Sequence, residues 1–299
     1  MLYNPFCAAD QRRRAQVVQN IRAFFAERNV LEVDTPLMAA APVTDPYLQA
    51  ITARCMGQTY YLQTSPEYAM KRLLAAGSGS IFQICKAFRD EESGRIHRPE
   101  FTLLEWYRVG FNDRQLMDEM DQLLQGLTGW APALRISYQA VFERYVGINP
   151  HTIGLVAARA VLREQVGEVG GLSAPSLNDC LQLLFSAVIE PKLQAHDLVF
   201  VFDYPTAQAA LAKRRVVDGQ EVAARFEVYA RGVELANGYD ELTDPVEQRR
   251  RFEADLVLRQ QQGLPLVPMD EALLQALEAG MPECAGVALG LDRVLMLLP

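Results

Sequence analysis

The chain has 299 residues, half of them hydrophobic (50%), and a formal net charge of −8 at pH 7. That is enough apolar content for a large buried core, in one big domain or two ordinary ones, while the acidic balance disfavours non-specific grip on a phosphate backbone, which needs clustered Lys and Arg. Five scattered cysteines without a C-x-x-C pair suggest neither a disulfide framework nor a zinc site, and with no charged-then-apolar leader and no apolar run near ~18 residues the expected location is cytoplasmic.

Residues 10–28 space Val17, Ile21, Phe24 and Phe25 at helical intervals, with the Arg12-Arg13-Arg14 run mostly on the other side. That run and Arg249-Arg250-Arg251 read first as solvated faces and second as acceptor-binding surface. The helix passes into an extended segment, Val30 to Thr35, closed by Pro36, which forces its predecessor out of helix. Residues 60–64 read as a short strand, followed by a helix to Gly77 with Ser65 as N-cap and Pro66 at the first helical position. Glu67 falls in its first turn, where a carboxylate favours the dipole.

Residues 81–88 and 101–107 are strand-like arms joined by a charged loop containing Gly94. Alternation in the second arm puts Phe101, Leu103, Glu105 and Tyr107 on one face. A carboxylate and a phenol on an otherwise apolar face ask for a polar ligand. After Asn112, a candidate cap, Leu116, Met117, Met120, Leu123, Leu124 and Leu127 mark one side of a helix with Gly129 beyond its end. Residues 137–190 give three more helical patterns without evident chemistry, and 198–203 is an apolar strand.

In residues 225–242, a two-residue turn at Arg231-Gly232 would set Glu227 opposite Ala236, with Glu227 and Glu234 diagonal neighbours on one face. Two adjacent carboxylates repel unless a cation joins them, and a hard ion completed by substrate phosphates suits that geometry. Asn237, Tyr239 and Glu241 are expected on the opposite face unless twist or a bulge near Gly238 turns them. Asp244-Pro245 opens a helix to about 262, and another spans 270–279. Small residues at 285, 286, 288 and 290 then let a ligand approach backbone, with Arg293 expected in the first turn of a closing helix, aimed at phosphate.

Phe88-Arg89-Asp90-Glu91, with His97-Arg98-Pro99-Glu100-Phe101-Thr102 and Glu105-Trp106-Tyr107, resembles motif 2 of the class II aminoacyl-tRNA synthetases in its lysine-specific branch, departing from it at Arg98, where Asn is usual. Residues 12–36 resemble motif 1, and the closing Gly286-Val287-Ala288-Leu289-Gly290-Leu291-Asp292-Arg293 resembles motif 3. Thr64-Ser65-Pro66-Glu67 and Glu234-Leu235-Ala236-Asn237-Gly238-Tyr239-Asp240-Glu241 are similar to segments that line the amino-acid site in that branch.

The resemblance implies an α+β fold, the class II catalytic domain, with a mostly antiparallel sheet flanked by helices. It implies a single domain over 1–299, with motif 1 at about 12–36, motif 2 at about 81–107, a helical insertion at about 112–195, motif 3 at about 285–299, and a homodimer through motif 1. It implies ATP and Mg2+. Arg89 would stabilise the α-phosphate, assisted by Glu91. His97 would contact the nucleotide, Phe101 stack on adenine, Arg293 hold the γ-phosphate, and Glu227 and Glu234 hold the metal. Glu67, Glu105, Tyr107, Asn237, Tyr239 and Glu241 would read an amino acid carrying two ammonium groups, with Ala288 narrowing the pocket against ordinary α-lysine.

The catalytic pattern begins within ten residues of Met1, so no anticodon-binding domain is expected before it. The resemblance is then to the stand-alone branch, which attaches lysine, as (R)-β-lysine, to a lysine side chain of elongation factor P, and tRNA is not the expected acceptor. The alternatives are a free-standing ligase that charges tRNA with lysine, an amide ligase similar to asparagine synthetase, and an inactive nucleotide-binding paralogue. The stop at Pro299 favours the last of these.

Overall fold

Val17, Ile21 and Phe25 recur every fourth residue and form the buried stripe of the first helix, α1 (Ala8–Ala26). Phe25 stacks on Phe82 with ring centroids 4.5 Å apart and meets Trp106 edge-on at 5.3 Å, which fixes α1 against the strands that carry those rings. The computed structural model describes residues 6–90, 94, 97–167 and 175–298. It divides the chain into two units, one made of Met1–Asn112 with Glu241–Pro299 and the other of Asp113–Asp240.

The first segment continues through β1 (Leu31–Glu32), β2 (Met38–Ala39), β3 (Thr52–Cys55), β4 (Gln58–Leu62), α2 (Glu67–Ala75), β5 (Ile81–Phe88) and β6 (Glu100–Val109). The second unit holds α3 (Asp113–Thr128), β7 (Leu134–Ser137), α4 (Tyr138–Tyr145), α5 (Leu155–Gln165) and α6 (Leu177–Leu184), which widens into a π turn at Phe185–Ile189 before α7 (Glu190–Leu193). Its strands β8 (Val199–Pro205), β9 (Arg214–Val217), β10 (Gln220–Ala230) and β11 (Val233–Asp240) follow. The chain returns to the first unit with α8 (Pro245–Gln261), α9 (Glu271–Gly280), β12 (Cys284–Gly290) and α10 (Leu291–Leu297).

In the first unit the strand order is β1-β5-β6-β12, with β1 parallel to β5 and the other pairs antiparallel, and β2-β4-β3 form a separate small sheet. In the second the order is β11-β10-β8-β7, with β9 also on β10; only β7 and β8 run parallel. The α+β class with a mostly antiparallel sheet and flanking helices is therefore what forms. The second unit has its own aromatic core, in which Tyr138 packs between Phe142 (4.7 Å), Phe185 (5.5 Å) and Tyr204 (4.7 Å).

Local capping follows the expected chemistry. Asp244 accepts hydrogen bonds from the Val246 and Glu247 amides at the start of α8, with Pro245 at its first position. Ser65 accepts from the Glu67 amide at 3.2 Å, so it does tie the start of α2, although Pro66 precedes the helix instead of opening it. Arg231 and Gly232 both take positive φ, 49° and 78°, giving the two-residue turn between β10 and β11. A Cβ on Gly232 would lie 2.4 Å from Gln194 Cγ, so glycine is needed there twice over.

Candidate active site

The alternation in β6 places Glu105 and Tyr107 on one face, and β12 lies beside it with Ala288 opposite Glu105 and Gly286 opposite Tyr107. Gly286 is the enabling residue. A Cβ there would sit 2.3 Å from Tyr107 Cε1 and 2.5 Å from Glu241 Oε1, so the ring and the carboxylate occupy the space a side chain would need. Tyr107 donates its hydroxyl to Glu105 Oε1 at 2.7 Å. Glu105 Oε2 is buried and has no hydrogen-bond partner among the described residues.

The helix α2 adds Glu67 and, one turn later, Lys71. The Lys71 ammonium lies 2.6 Å from Glu67 Oε1 and 2.6 Å from Glu241 Oε2, and both Lys71 and Glu241 are only 1% exposed. Two carboxylates thus share one ammonium, with Glu105 as a third beside them. Burial opposes the charge on Lys71, but Glu241 and Glu67 outweigh it and hold its pKa above the ordinary lysine value. Glu105 goes the other way. Its own burial, then the charge of Glu67, pushes its carboxyl up to about 8, against the lowering effect of the Tyr107 hydrogen bond and of Lys71. Tyr107 is raised well above the usual phenol value, first by burial and then by Glu105. The cluster carries more negative than positive charge, and one of its oxygens lacks a donor, which is the chemistry of a pocket for a cation.

In the same unit, Arg89 directly follows β5 and Arg293 lies on α10. The Arg89 guanidinium lies over the Phe101 ring, 5.0 Å from its centroid. Its amide donates to Pro99 O at 2.9 Å and so extends the β5–β6 pairing into the loop. Arg293 stands in the first turn of α10, as its spacing predicted, with a guanidinium nitrogen 3.0 Å from His97 Nε2. Glu91 lies outside the described residues. Next to Arg293, Asp292 accepts from the Thr102 amide at 2.8 Å and from Arg14 at 3.1 Å, while Arg14 also donates to Thr102 Oγ1 at 3.1 Å. Arg14 is therefore no part of a solvated face. Of that run Arg12 and Arg13 are exposed; Arg249 and Arg250 keep the surface reading through ion pairs with Glu271 and Glu247, whereas Arg251, also on Glu247, is only 12% exposed at its side chain.

The second unit gathers the remaining candidates on one face of β10 and β11. Tyr229 pairs with Glu234 and Glu227 pairs with Asn237, because the register shifts between Val228 and Tyr229 and leaves Leu235 as the extra residue. This corrects two expectations. Glu227 faces Asn237 instead of Ala236, and the bulge is at Leu235 instead of near Gly238. One inserted residue brings Glu234, Asn237 and Tyr239 to the side of Arg225, Glu227 and Tyr229, where a regular strand would have split them.

Glu227 is tightly held. It accepts from Tyr204 at 2.6 Å, from Tyr229, and from Arg225 at 2.5 Å. Arg225 donates in turn to Asn237 Oδ1 at 3.1 Å, and Asn237 to the Tyr239 hydroxyl at 2.7 Å. Glu227 on β10 and Glu234 on β11 share one sheet face, a hard-oxygen pair that fits Mg2+ when the ion takes its other ligands from water and nucleotide phosphates. Glu227 and Glu234 would hold it. No cluster of three or more His, Cys, Asp or Glu with metal-binding geometry occurs among the described residues.

Lys71, Arg225, Tyr204 and Tyr229 were not foreseen. Lys71 had a local signal, since it follows Glu67 by four residues on a helix. Arg225 and Tyr229 flank Glu227 at spacing two, which places all three on one face of a strand. Tyr204 arrives from β8, 23 residues away in sequence, and no local pattern announces it.

Residues 2–299 match the family model described as tRNA synthetases class II (D, K and N). Curated relatives carry the name "Elongation factor P--(R)-beta-lysine ligase". The relative from Vibrio cholerae is 50% identical over 299 residues, covering 96% of this chain and 90% of the relative. That from Pseudoalteromonas translucida is 48% identical, covering 97% and 91%, and that from Salmonella arizonae is 47% identical, covering 95% and 89%. A match that runs from the second residue to the last, over a fold of the expected class, means that this chain belongs to the class II (D, K and N) tRNA synthetase family.

Proposed function

We propose that this protein is an ATP-dependent ligase that activates lysine, in the form of (R)-β-lysine, as an aminoacyl-adenylate with release of pyrophosphate, and transfers it to a lysine side chain of elongation factor P. The names of relatives near 50% identity support the activity and the acceptor. The observation that carries the substrate class is the grouping of Glu67 and the buried Glu105 and Glu241 with Lys71, a surplus of negative charge where an anionic substrate would leave carboxylates unpaired at a cost of roughly 1–3 kcal/mol or more each.

Adenylation asks the protein to hold an amino-acid carboxylate in line with the α-phosphate while negative charge grows and pyrophosphate leaves; no protein nucleophile is required. We assign Arg89, with Glu91, to the α-phosphate, Phe101 and His97 to the nucleotide, and Arg293 to the γ-phosphate. Thr102, Asp292 and Arg14 support that last role by fixing the start of α10. Glu67, Glu105, Tyr107 and Glu241 receive the ammonium groups, and Ala288, opposite Glu105, limits the room beside them. An incoming ammonium displaces the proton that burial leaves on Glu105 near neutral pH.

Asn237 and Tyr239 are assigned to the amino acid and Glu227 and Glu234 to Mg2+. When bound, that ion supplies positive charge against the phosphates. We further propose that residues 1–299 serve as one catalytic domain, that the protein dimerises through motif 1, and that it works in the cytoplasm without tRNA as acceptor. Among the described residues no helix is long and apolar enough to cross a membrane.

The reading predicts pyrophosphate exchange into ATP that depends on (R)-β-lysine, is weaker with α-lysine, and is absent with aspartate or asparagine. Arg89→Ala and Arg293→Ala should each lower kcat by about 10²-fold or more. Exchange driven best by aspartate or asparagine would overturn the substrate assignment.

A further inference from the structure

Lys71 is an unusual residue to find 1% exposed on an amphipathic helix, and none of the roles assigned above uses it. Its ammonium sits at 2.6 Å from a carboxylate of its own helix, Glu67, and at 2.6 Å from Glu241, which follows β11 and whose amide is tied to Cys284 O at 3.0 Å. The third carboxylate, Glu105, lies on β6 with one oxygen on Tyr107 and the other without a donor among the described residues. Also around the cluster are the buried Gln83 of β5, opposite Glu105, the part-buried Cys85 thiol on the same strand, pushed up to about 12 mainly by burial, and the uncharged Gly286 and Ala288 of β12.

We propose that Lys71 is a positioning and specificity-determining residue that sets how many positive charges this pocket accepts. Once the incoming ligand has displaced the proton on Glu105, three carboxylates less one lysine leave a deficit of two, which is the number of ammonium groups on a diamino acid. Lys71 does this in two ways. It pins Glu67 and Glu241, which would otherwise repel each other, at 2.6 Å from each, and its fixed charge offsets part of theirs where water is largely excluded. Without it their mutual repulsion favours protonation at neutral pH, and an incoming ammonium must displace further protons besides that on Glu105 in order to bind. This inference rests on reading the first unit's cluster as the amino-acid pocket.

The test is pyrophosphate exchange by the full-length protein, comparing wild type with Lys71→Met and Lys71→Arg across pH. In Lys71→Met the KM for (R)-β-lysine should rise about tenfold or more at neutral pH while the KM for ATP stays within about twofold, and the deficit should narrow as pH rises. Lys71→Arg should keep the wild-type pH profile. A merely structural lysine would give a loss that is independent of pH, or one that falls on kcat, and either result overturns the inference.

Should Lys71→Met fail to fold, Glu67→Gln still decides the matter. It leaves Lys71 in place and lowers the deficit to one, so discrimination between (R)-β-lysine and 3-aminohexanoic acid, its analogue with one ammonium, should fall about tenfold, and unchanged discrimination contradicts the proposal. A wild-type protein that exchanges with no amino acid would sink the functional reading alone. Calorimetric titration of 1,5-diaminopentane then reads the pocket directly: weaker binding to Lys71→Met at neutral pH, recovering as pH rises, supports the proposal, and equal affinity at every pH overturns it.

Discussion

Glu105 shows how one residue can be tuned by where its strand places it. A carboxylate on β6 would cost little in water, but here it is 2% exposed, faces Glu67 and Glu241, and has only the Tyr107 hydroxyl as a donor among the described residues. Its folded-state pKa of about 8 lies above the ordinary value of 4.5. The linkage sign follows: the group's contribution to stability is fully present below 4.5 and is lost as pH rises through 8. The protein alone should therefore lose thermal stability as pH climbs toward 8, and (R)-β-lysine should restore it. Glu105→Gln should flatten that slope while weakening amino-acid binding about tenfold or more. Thermal unfolding across pH checks this, and an identical slope in wild type and Glu105→Gln would show that Glu105 is ionised throughout.

Among elements, the tie between α1, β6 and α10 links the segments that resemble motifs 1, 2 and 3. Arg14 on α1 and Thr102 on β6 both hold Asp292, whose neighbour is Arg293. The pair Arg14–Asp292 is only partly exposed, 20% and 26% at the side chains, so its stability value is about 1 kcal/mol or less after allowance for screening. Its larger effect is positional. Arg14→Ala should raise the KM for ATP roughly tenfold and leave the KM for the amino acid nearly unchanged, which steady-state exchange kinetics would show. A change confined to the amino-acid KM would place the tie in the wrong half of the chemistry.

Element type was largely legible in the sequence, because it depends on local periodicity and caps: the stripe of α1, Asp244-Pro245 before α8, and the turn at Arg231-Gly232 all formed where those rules put them. The bulge at Leu235 was not. It is fixed by what β10 meets on both edges, including Tyr204 from β8, and no residue in the strand announces it. The same holds for Arg14, which belongs to a basic run by spacing and to a part-buried tie only because Asp292, 278 residues later, comes to lie beside it.

At the scale of the whole molecule, the fold class and most pocket residues were readable because motif text spans the chain from the first helix to the last. What composition left open was the balance of charge within the pocket, since a net of −8 says nothing of how three carboxylates and one lysine are grouped. That grouping, together with relatives named for elongation factor P, sets the central claim: the protein joins a diamino acid to a protein lysine. The most direct measurement is the intact mass of unmodified elongation factor P after incubation with this protein, ATP, Mg2+ and (R)-β-lysine. The account predicts a gain of one lysyl group that disappears with Arg89→Ala. An unchanged mass, with labelled lysine appearing on tRNA instead, would contradict it.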